Sequence, residues 1–532
     1  MSGSRAAMFV GTASCGYSEL AARAGASIDG YSLTGVVPSV GPNRMSYFLN
    51  LHGPSEPIDT ACSSALVAIH RAVRAICAGD CETALVGGVN TIVSPWIHVS
   101  FSKAGMLAQD GLCKTFSSRA NGYVRGEGVG MLYLKKLSAA ERDGDHIYAL
   151  ITGSAENHGG RANSFTAPNP RAQAELIKAA YRDAQIDPRT VSYIETHGTG
   201  TALGDPVEID GLKRAFAELN SAADGGRPGA AYCGLGSVKS NIGHLELAAG
   251  IAGVIKVVLQ IVHRTLAKSL HCEEVNPLIE LEGSPFFIVN ETRPWTRPPG
   301  GGSRRAGVSS FGFGGANAHV VIEEYMANDL APTDAPVAST HPAVIVLSAR
   351  TPTQLRDRAK QLLAHVAVHP YPQQDLLDIA YTLQVGRDAM DQRLGFTVGS
   401  VTELRDGLAD YLEAPLESGP CGSPFHVGDA GKSTGATVAF DTDEDVQDAI
   451  AAWMAKGKCA HLLAAWVNGV HIDWSRLYGA GALYGAHRPR RLSLPTYPFA
   501  RERYWVQGER QEAPGVAVLH PLLQENASQL DE

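Results

Sequence analysis

The sequence predicts a layered α/β fold built around a mostly parallel sheet. Short apolar runs of strand type alternate along the chain with longer helical runs that contain no Gly or Pro. The strand-type runs include AMFVG, TALVGGVNTIV and VSYIETH, and the helical runs include SSALVAIHRAVRAICA and AQAELIKAAYRDA. The length of 532 residues leaves room for two or three domains, and 44% hydrophobic with 19% charged residues is an ordinary globular balance.

The elements follow one another in a regular order. AMFVG predicts an opening strand, and a helix is expected from about Pro42 to Leu51. The run from Ser63 to Ala78 predicts a buried helix that stops at Gly79. Leu245–Val262 is the most apolar long stretch, but it contains charged residues and glycine, so it indicates a core helix rather than a membrane span.

Charge and cysteine content exclude several function classes. A net charge of -9 without a Lys/Arg block argues against binding to nucleic acid or to an anionic membrane. Nine scattered cysteines form no disulfide framework and suit a reducing cytosol, so we expect a cytoplasmic protein. Cys77 and Cys81 lack a second ligand pair nearby, which argues against a zinc site. Gly431–Thr434 lacks the first glycine of a phosphate-binding loop.

Cys62 is the candidate nucleophile. It lies where the polar segment Asp59–Ala61 meets the long apolar helix. A thiol in the first turn of a helix is close to unpaired N–H groups and to the positive end of the dipole, which predicts a lowered pKa. The alternative is a cysteine that only packs in the core, since free cysteine is among the most buried residue types.

Two histidines in Gly-rich loops favour the catalytic alternative. His197 lies in ETHGTGT and His244 in KSNIGH, and each loop follows an apolar run of strand type. Loops at strand ends present catalytic groups on a rigid sheet. Two such histidines with a cysteine at a helix start upstream predict nucleophilic catalysis.

Four motifs carry a family resemblance. In order they are DTACSSALVAIH, ETHGTGTALGDPVE, VKSNIGHLELAAGIAG and SSFGFGGANAH. They resemble the ketosynthase (beta-ketoacyl synthase) domain of modular type I polyketide synthases, over roughly residues 8–325. The following segment is similar to the linker domain of the trans-acyltransferase subclass. The resemblance implies a thiolase-like αβαβα fold that lacks its first ~100 residues, followed by a small α/β linker domain.

The resemblance also assigns roles to individual residues. Cys62 would hold an acyl group, and the backbone N–H groups of Cys62 and Phe313 would form an oxyanion hole. His197 and His244 would assist decarboxylation of a malonyl thioester and stabilise its enolate. The remaining implied residues are Lys239 and Glu246, whose ion pair would orient the imidazole or serve structure alone, and Thr199, Thr201 and Asn317, which would line a phosphopantetheine channel.

The implied activity is that of an acyltransferase that condenses two acyl units. Non-elongating ketosynthases of this subclass commonly lack the first histidine, so His197 favours an elongating enzyme. The alternative is a non-elongating gate or a scaffold that docks carrier proteins. No metal or bound cofactor is expected, because phosphopantetheine belongs to the partner acyl carrier protein. Further expected partners are a separate acyltransferase, since the space after the ketosynthase holds only a small linker domain, and a second copy in a homodimer.

Composition and resemblance together predict the domain order. An N-terminally incomplete ketosynthase domain is expected at 1–325, a Pro- and Ala-rich linker at 326–342 and a small α/β domain at 343–480. An extended segment at 481–518 would wrap back over the first domain. His520-Pro521-Leu522-Leu523 resembles the opening of a dehydratase domain, so 519–532 is predicted to start one, which makes a downstream dehydratase a further partner.

Overall fold

The chain forms two compact units. The computed structural model describes residues 2–221, 231–298, 301–326, 341–414, 424–432, 444–485 and 489–506. The first unit comprises Met1–Leu137, Ile147–Met326 and Trp505–Glu532, and the second comprises Ser138–His146 and Ala327–Tyr504. The predicted linker 326–342 lies outside the described residues except at its ends, and the predicted dehydratase start 519–532 lies outside them entirely.

The strands and helices have the following bounds. The strands are β1 (Ala6–Gly11), β2 (Ser55–Ile58), β3 (Thr83–Asn90), β4 (Gly128–Lys135), β5 (Leu150–His158), β6 (Tyr193–Glu195), β7 (Cys233–Gly236), β8 (Thr265–Leu266), β9 (Phe286–Ile288), β10 (Arg293–Pro294), β11 (Arg305–Phe311), β12 (Ala316–Glu323), β13 (Ala343–Ala349), β14 (Gln392–Val398) and β15 (His426–Asp429). The helices are α1 (Tyr17–Arg23), α2 (Ser32–Val36), α3 (Val40–Leu49), α4 (Ser64–Ala78), α5 (Pro95–Lys103), α6 (Leu137–Arg142), α7 (Pro170–Ala184), α8 (Gly204–Ser221), α9 (Lys239–Ile242), α10 (Ala249–His263), α11 (Pro352–Val368), α12 (Leu376–Val385), α13 (Val401–Glu413), α14 (Glu444–Ala455) and α15 (Cys459–Val467).

Two mixed sheets form the first unit. One has the strand order β2-β1-β3-β4, with β4 antiparallel and the others parallel. The other has the order β5-β12-β11-β6-β7-β9, in which β11, β6, β7 and β9 run parallel. The buried run TALVGGVNTIV is a candidate interface edge for the expected homodimer, but its strand β3 pairs with β1 on one side and β4 on the other, so it has no free edge and that expectation is wrong.

Helices α4 and α10 lie between the two sheets. Leu66 and Ile69 of α4 and Val254 and Val257 of α10 are fully or almost fully buried in one core, together with residues of β1, β3, β11 and β12. Alternation in the strands decides which side chains face this core, as β12 shows: Val320 points into it, while Val321 points into the core beneath α7 and α8.

The outer layers complete a five-layer αβαβα arrangement. Helices α7 and α8 cover the outer face of the six-stranded sheet. Helix α3 packs on β1 and β2 at the far side of the four-stranded sheet. The predicted thiolase-like fold class is confirmed by this layering and by the similarity to solved structures described below. Two stretches, Ala61–Ala78 and Glu246–His263, have the length and hydropathy of membrane spans, but they belong to these mostly buried core helices.

The second unit contains a three-stranded antiparallel sheet in the order β13-β14-β15. Helices α11, α12, α13 and α15 pack on it around a core that includes every residue of β13 except Ser348. The extended segment contributes to this unit: Leu494 is buried in the core, and Arg350 donates its backbone N–H to the Tyr497 hydroxyl at 3.0 Å. Wrapping of the segment over the first domain stays a prediction.

Leu66 tests the central helical layer. It has no exposed surface, and its side chain packs so closely on α10 that a Cβ at Gly250 would lie 2.7 Å from Leu66 Cγ. We expect Leu66→Ala to lower the free energy of unfolding of the first unit by about 2–5 kcal/mol, because a cavity opens between the sheets. The measurement is hydrogen exchange of α4 peptides across a urea series. Leu278→Ala, at a residue 62% exposed, is the matched control, and equal midpoints for the two variants would contradict the layering.

Candidate active site

Three residues predicted from separate motifs meet at one point. The sulfur of Cys62 and one ring nitrogen each of His197 and His244 all lie within 4.8 Å of one another. The two imidazole rings are nearly perpendicular, with centroids 5.4 Å apart. Cys62 follows β2, His197 follows β6, and His244 follows β7 by way of the one-turn helix α9. The two sheets thus bring their loops together at a common site.

A tight turn presents the thiol. Cys62 lies in a 3-10 turn, Ala61–Ser63, that leads into α4. Ala61 has a φ of 55°, a left-handed conformation that costs a non-glycine residue about 1–3 kcal/mol. The Ser64 hydroxyl holds the turn, because it accepts the Thr60 N–H at 2.9 Å and donates to the Ala61 carbonyl at 2.6 Å.

Burial dominates the chemistry of the thiol. It raises the pKa of Cys62 to about 11, and the charge of Glu246 acts in the same direction. Lys239 and the backbone N–H groups of Phe313 and Cys62 favour the thiolate but do not outweigh burial. The prediction that the helix start lowers this pKa is therefore wrong, since the desolvation cost exceeds the benefit of nearby donors.

The turn between β11 and β12 brings Phe313 to the sulfur. Its N–H and that of Cys62 both act on the thiol, so two backbone donors lie near the reacting atom. Gly312 permits this approach, because a Cβ there would lie 2.4 Å from the Thr60 carbonyl oxygen. The assignment of these two donors to an oxyanion hole stays a prediction.

His244 is held as a hydrogen-bond donor. Its Nδ1 accepts the backbone N–H of Glu246 at 3.1 Å, so in the neutral ring the proton is on Nε2. Nε2 is buried and has no partner among the described residues. Burial and the positive charges of Lys239 and Arg125 hold the pKa of His244 well below its usual range, which keeps the ring neutral.

The same tautomer argues against a metal. Cys62 and the two histidines are close enough to bind one ion, but a ligating Nε2 would require a proton on Nδ1. That proton would face the Glu246 N–H. The site therefore suits a donor to a developing oxyanion better than a metal ligand.

Glu246 forms an ion pair with Arg125, a residue outside the predicted site. Its carboxylate accepts Arg125 Nε at 2.6 Å and Arg125 Nη2 at 2.9 Å. The expected ion pair between Glu246 and Lys239 is therefore wrong. Lys239 is also buried; burial lowers its pKa, while the charges of Glu195 and Glu208 act to raise it. Arg125 belongs to the loop FSSRANGYVRGE. A charged residue beside glycine in a loop is the sequence signal that could have indicated its role in the site.

Two buried carboxylates shape the His197 loop. Glu208 accepts the backbone N–H groups of His197 at 2.7 Å and Gly198 at 2.8 Å. Asp205 accepts those of Gly200 at 3.1 Å and Phe116 at 2.8 Å. Burial raises the pKa of Glu208 to about 7 and that of Asp205 to about 6, against the effect of these N–H donors. Both residues stand in ETHGTGTALGDPVE, but their roles depend on tertiary contacts.

Burial also controls His197. Burial and the positive charge of Lys239 lower the pKa of His197 well below its usual range, so this ring is neutral as well. Its Nδ1 is buried without a described partner, and its ring lies 5.6 Å from that of Phe311. The site thus offers two neutral imidazoles beside a protonated thiol.

A cavity of about 390 Å³ surrounds these groups. Its lining includes the predicted residues Cys62, His197, His244, Phe313, Thr199, Thr201 and Asn317. The hydroxyls of the two threonines are 3.3 Å apart, and Asn317 Nδ2 donates to Asn157 Oδ1 at 3.1 Å. Lys239 and Glu246 do not line the cavity. Their charges affect the pKa of Cys62, which does line it. Met106, Tyr123 and Phe165 line it but were not selected from the sequence.

Comparisons with known proteins agree with this geometry. The family model "Beta-ketoacyl synthase, N-terminal domain" matches residues 1–140, and "Beta-ketoacyl synthase, C-terminal domain" matches 148–273. The ketosynthase from module 6 of the bacillaene synthase of Bacillus subtilis 168 is 40% identical over 95% of this chain and 82% of its own, with a TM-score of 0.82. The chain belongs to the ketosynthase family.

Further relatives define the subclass. Residues 346–414 match the family model "RhiE-like, KS-MAT linker domain". Polyketide synthase PksN of Bacillus subtilis (strain 168) is 51% identical over the whole chain, and ThaG of Burkholderia thailandensis is 46% identical over 94% of it. The oxazolomycin ketosynthase domain OzmH KS7 of Streptomyces albus JA3453 is 36% identical over 95% of this chain and 79% of its own, with a TM-score of 0.75. The resemblance to a trans-acyltransferase polyketide synthase is confirmed; the chain spans about a tenth of the curated relatives' length.

Alkylation tests the protonated state of the ketosynthase thiol. Because burial raises the pKa of Cys62 to about 11, its thiolate fraction should grow about tenfold per pH unit between pH 7 and pH 10. The rate of iodoacetamide attachment to the Cys62 peptide, followed by mass spectrometry, should rise by the same factor without levelling off. Cys62→Ala identifies the background signal. A plateau below pH 9 would show instead that the helix start governs the thiol.

Proposed function

We propose that this ketosynthase extends an acyl chain by decarboxylative condensation with a malonyl unit. The observation that carries the proposal is the meeting of one thiol and two neutral imidazoles within 4.8 Å inside a cavity. A carbon–carbon bond of this kind needs a nucleophile for one acyl group, donors for two oxyanions and protection from water. Each need has a matching group in this chain.

The first step loads the acyl group. The Cys62 sulfur attacks the thioester of an incoming acyl chain, and the carrier's phosphopantetheine thiol departs. Because the Cys62 thiol is protonated at neutral pH, its proton passes to the departing thiolate as the new carbon–sulfur bond forms. The N–H groups of Cys62 and Phe313 stabilise the oxyanion of the tetrahedral intermediate.

The second step forms the enolate. A malonyl thioester enters beside His197 and His244 and loses carbon dioxide, so its carbon–carboxylate electron pair moves toward the thioester oxygen. His244 donates from Nε2, whose proton is fixed by the bond between Nδ1 and Glu246 N–H. A neutral donor suits this role, since the ring does not have to be charged in a dry pocket.

The third step joins the two units. The enolate carbon attacks the acyl carbonyl on Cys62, and the resulting oxyanion occupies the same pair of backbone N–H groups. The Cys62 thiolate leaves as the carbonyl reforms. The product is a β-ketoacyl chain on the carrier protein, longer by two carbons. Placement of the acyl-enzyme inside the cavity limits its contact with bulk water and so its hydrolysis.

The proposed partners follow from this chemistry. Acyl carrier proteins would deliver both substrates on phosphopantetheine, with Thr199, Thr201 and Asn317 along the cavity wall. The similarity to polyketide synthases of the trans-acyltransferase subclass supports a separate acyltransferase as the source of malonyl units. We further propose a homodimer in the cytosol and a downstream dehydratase.

Loading and condensation should separate by mutation. Cys62→Ala should abolish acyl attachment, because no other group holds the acyl chain. His197→Ala should leave attachment largely intact but slow product formation by ~10²–10³-fold, the usual loss for one preorganised donor. His244→Ala should behave similarly. The measurement is intact-protein mass for loading beside product formation from malonyl carrier protein.

Two variants away from the site are the matched controls. Cys77→Ala and His263→Ala replace exposed residues of the same types and should change neither step. Wild-type protein that loads acyl chains but never decarboxylates the malonyl unit would favour the gate or scaffold instead. Equal loss of both steps in His197→Ala would return that histidine to a structural role.

A second test concerns the source of malonyl units. Incubation with malonyl-CoA should leave every serine unmodified, because the segment after the ketosynthase matches a linker domain and the acyltransferase is proposed to be a separate protein. Mass spectrometry of proteolytic peptides is the measurement. A malonyl group found on a serine would contradict the proposed separate acyltransferase.

A further inference from the structure

One buried tyrosine lines the cavity, and its hydroxyl has no protein partner among the described residues. Tyr123 is 6% exposed and lines the cavity that contains Cys62. No described residue forms a hydrogen bond with its hydroxyl, although its backbone N–H and carbonyl are both bonded. The hydroxyls of two other buried tyrosines are bonded, that of Tyr193 to Glu195 and Lys256 and that of Tyr484 to backbone. The Tyr181 hydroxyl also has no described partner, but Tyr181 does not line this cavity.

The ring of Tyr123 is held in place on several sides. Its N–H donates to the Met106 carbonyl at 3.1 Å, and its carbonyl accepts the Ala108 N–H at 3.0 Å. The ring packs edge-on against His244, with centroids 5.1 Å apart, and against Phe101 at 6.4 Å. The hydroxyl therefore has a defined direction beside the reacting groups rather than a choice of rotamers.

The hydroxyl remains a phenol at neutral pH. Burial raises the pKa of Tyr123, and charge on Cys62 or Glu246 raises it further. It can donate one hydrogen bond and accept others. When an acyl chain displaces solvent from the cavity, this group keeps a hydrogen bond only if the chain supplies an oxygen. A buried hydroxyl left without a partner costs about 1–3 kcal/mol.

We propose that Tyr123 is a specificity-determining residue that selects acyl chains carrying an oxygen substituent near the thioester. The inference rests on the proposed function, since it concerns the acyl chain that Cys62 accepts. A site built to bond a substrate hydroxyl discriminates against an analogue that lacks it, because its own polar group is then unpaired. Hydroxyl or carbonyl oxygens on the α or β carbon are the substituents closest to the thioester.

The test compares matched pairs of small thioesters. Purified full-length chain is loaded with N-acetylcysteamine thioesters of 3-hydroxybutyrate and 3-methylbutyrate, and of 2-hydroxybutyrate and 2-methylbutyrate. Each pair differs by a hydroxyl in place of a methyl group of similar size. Competition within a pair, measured as the two acyl-Cys62 masses, gives the loading ratio.

Tyr123→Phe removes only the hydroxyl and keeps the ring against His244. In at least one pair the wild-type ratio should favour the hydroxylated chain, and it should fall by about three- to tenfold in Tyr123→Phe, the worth of one neutral hydrogen bond. Tyr133→Phe, at an exposed position on β4, should keep the wild-type ratio. Circular dichroism confirms that each variant is folded.

The outcomes separate this inference from the proposed function. Wild-type ratios that are unchanged by Tyr123→Phe in both pairs would overturn the inference while leaving condensation untouched. A variant with wild-type loading ratios but slowed condensation would also overturn it, because the hydroxyl would then act on the malonyl unit. Absence of any loading on wild-type Cys62 would instead refute the proposed function.

Discussion

The cost of placing charge away from water governs this site. Burial raises the pKa of the Cys62 thiol and lowers the pKa of both histidines, so all three groups are neutral when substrates arrive. Neutrality matters because the proposed reaction generates negative charge twice, on an enolate and on a tetrahedral oxygen. Donors that are already oriented and uncharged stabilise that charge without the cost of holding a cation in a dry cavity. In the proposed reaction, charge on the sulfur is transient, because it develops only while the bond between Cys62 and the acyl carbon forms or breaks.

Buried carboxylates organise the loops that carry these groups. Glu208 joins two successive N–H groups at His197, and Asp205 joins Gly200 to Phe116. Glu246 has two functions, since its backbone N–H sets the tautomer of His244 while its side chain pairs with Arg125. These contacts tie loops from different strands together, so the distances between the catalytic groups depend on acceptors that never touch the substrate.

The cost of leaving polar groups away from water also applies to the cavity wall. Residues such as Met106 and Phe311 make part of the wall apolar, which makes each polar group in it more consequential. Tyr123 stands out for this reason, because its hydroxyl is the kind of group that an acyl chain must either satisfy or leave unpaired. Selectivity and catalysis would then share one source: a dry pocket in which few hydrogen bonds are available.

The sequence by itself determined the layered fold class, the long buried helices and the three residues that meet at the site. It could do so because the periodicity of apolar residues, the helix start at Cys62 and the glycines beside His197 and His244 are local signals. Only the tertiary structure decided the sign of the Cys62 pKa shift, the Arg125 partner of Glu246 and the carboxylates behind His197. Desolvation and ion pairing depend on which distant segments pack together, and Arg125 is 121 positions from Glu246 in the chain. No local pattern reports such a contact, so the helix start near Cys62 predicted a lowered pKa, whereas burial between two sheets raised it.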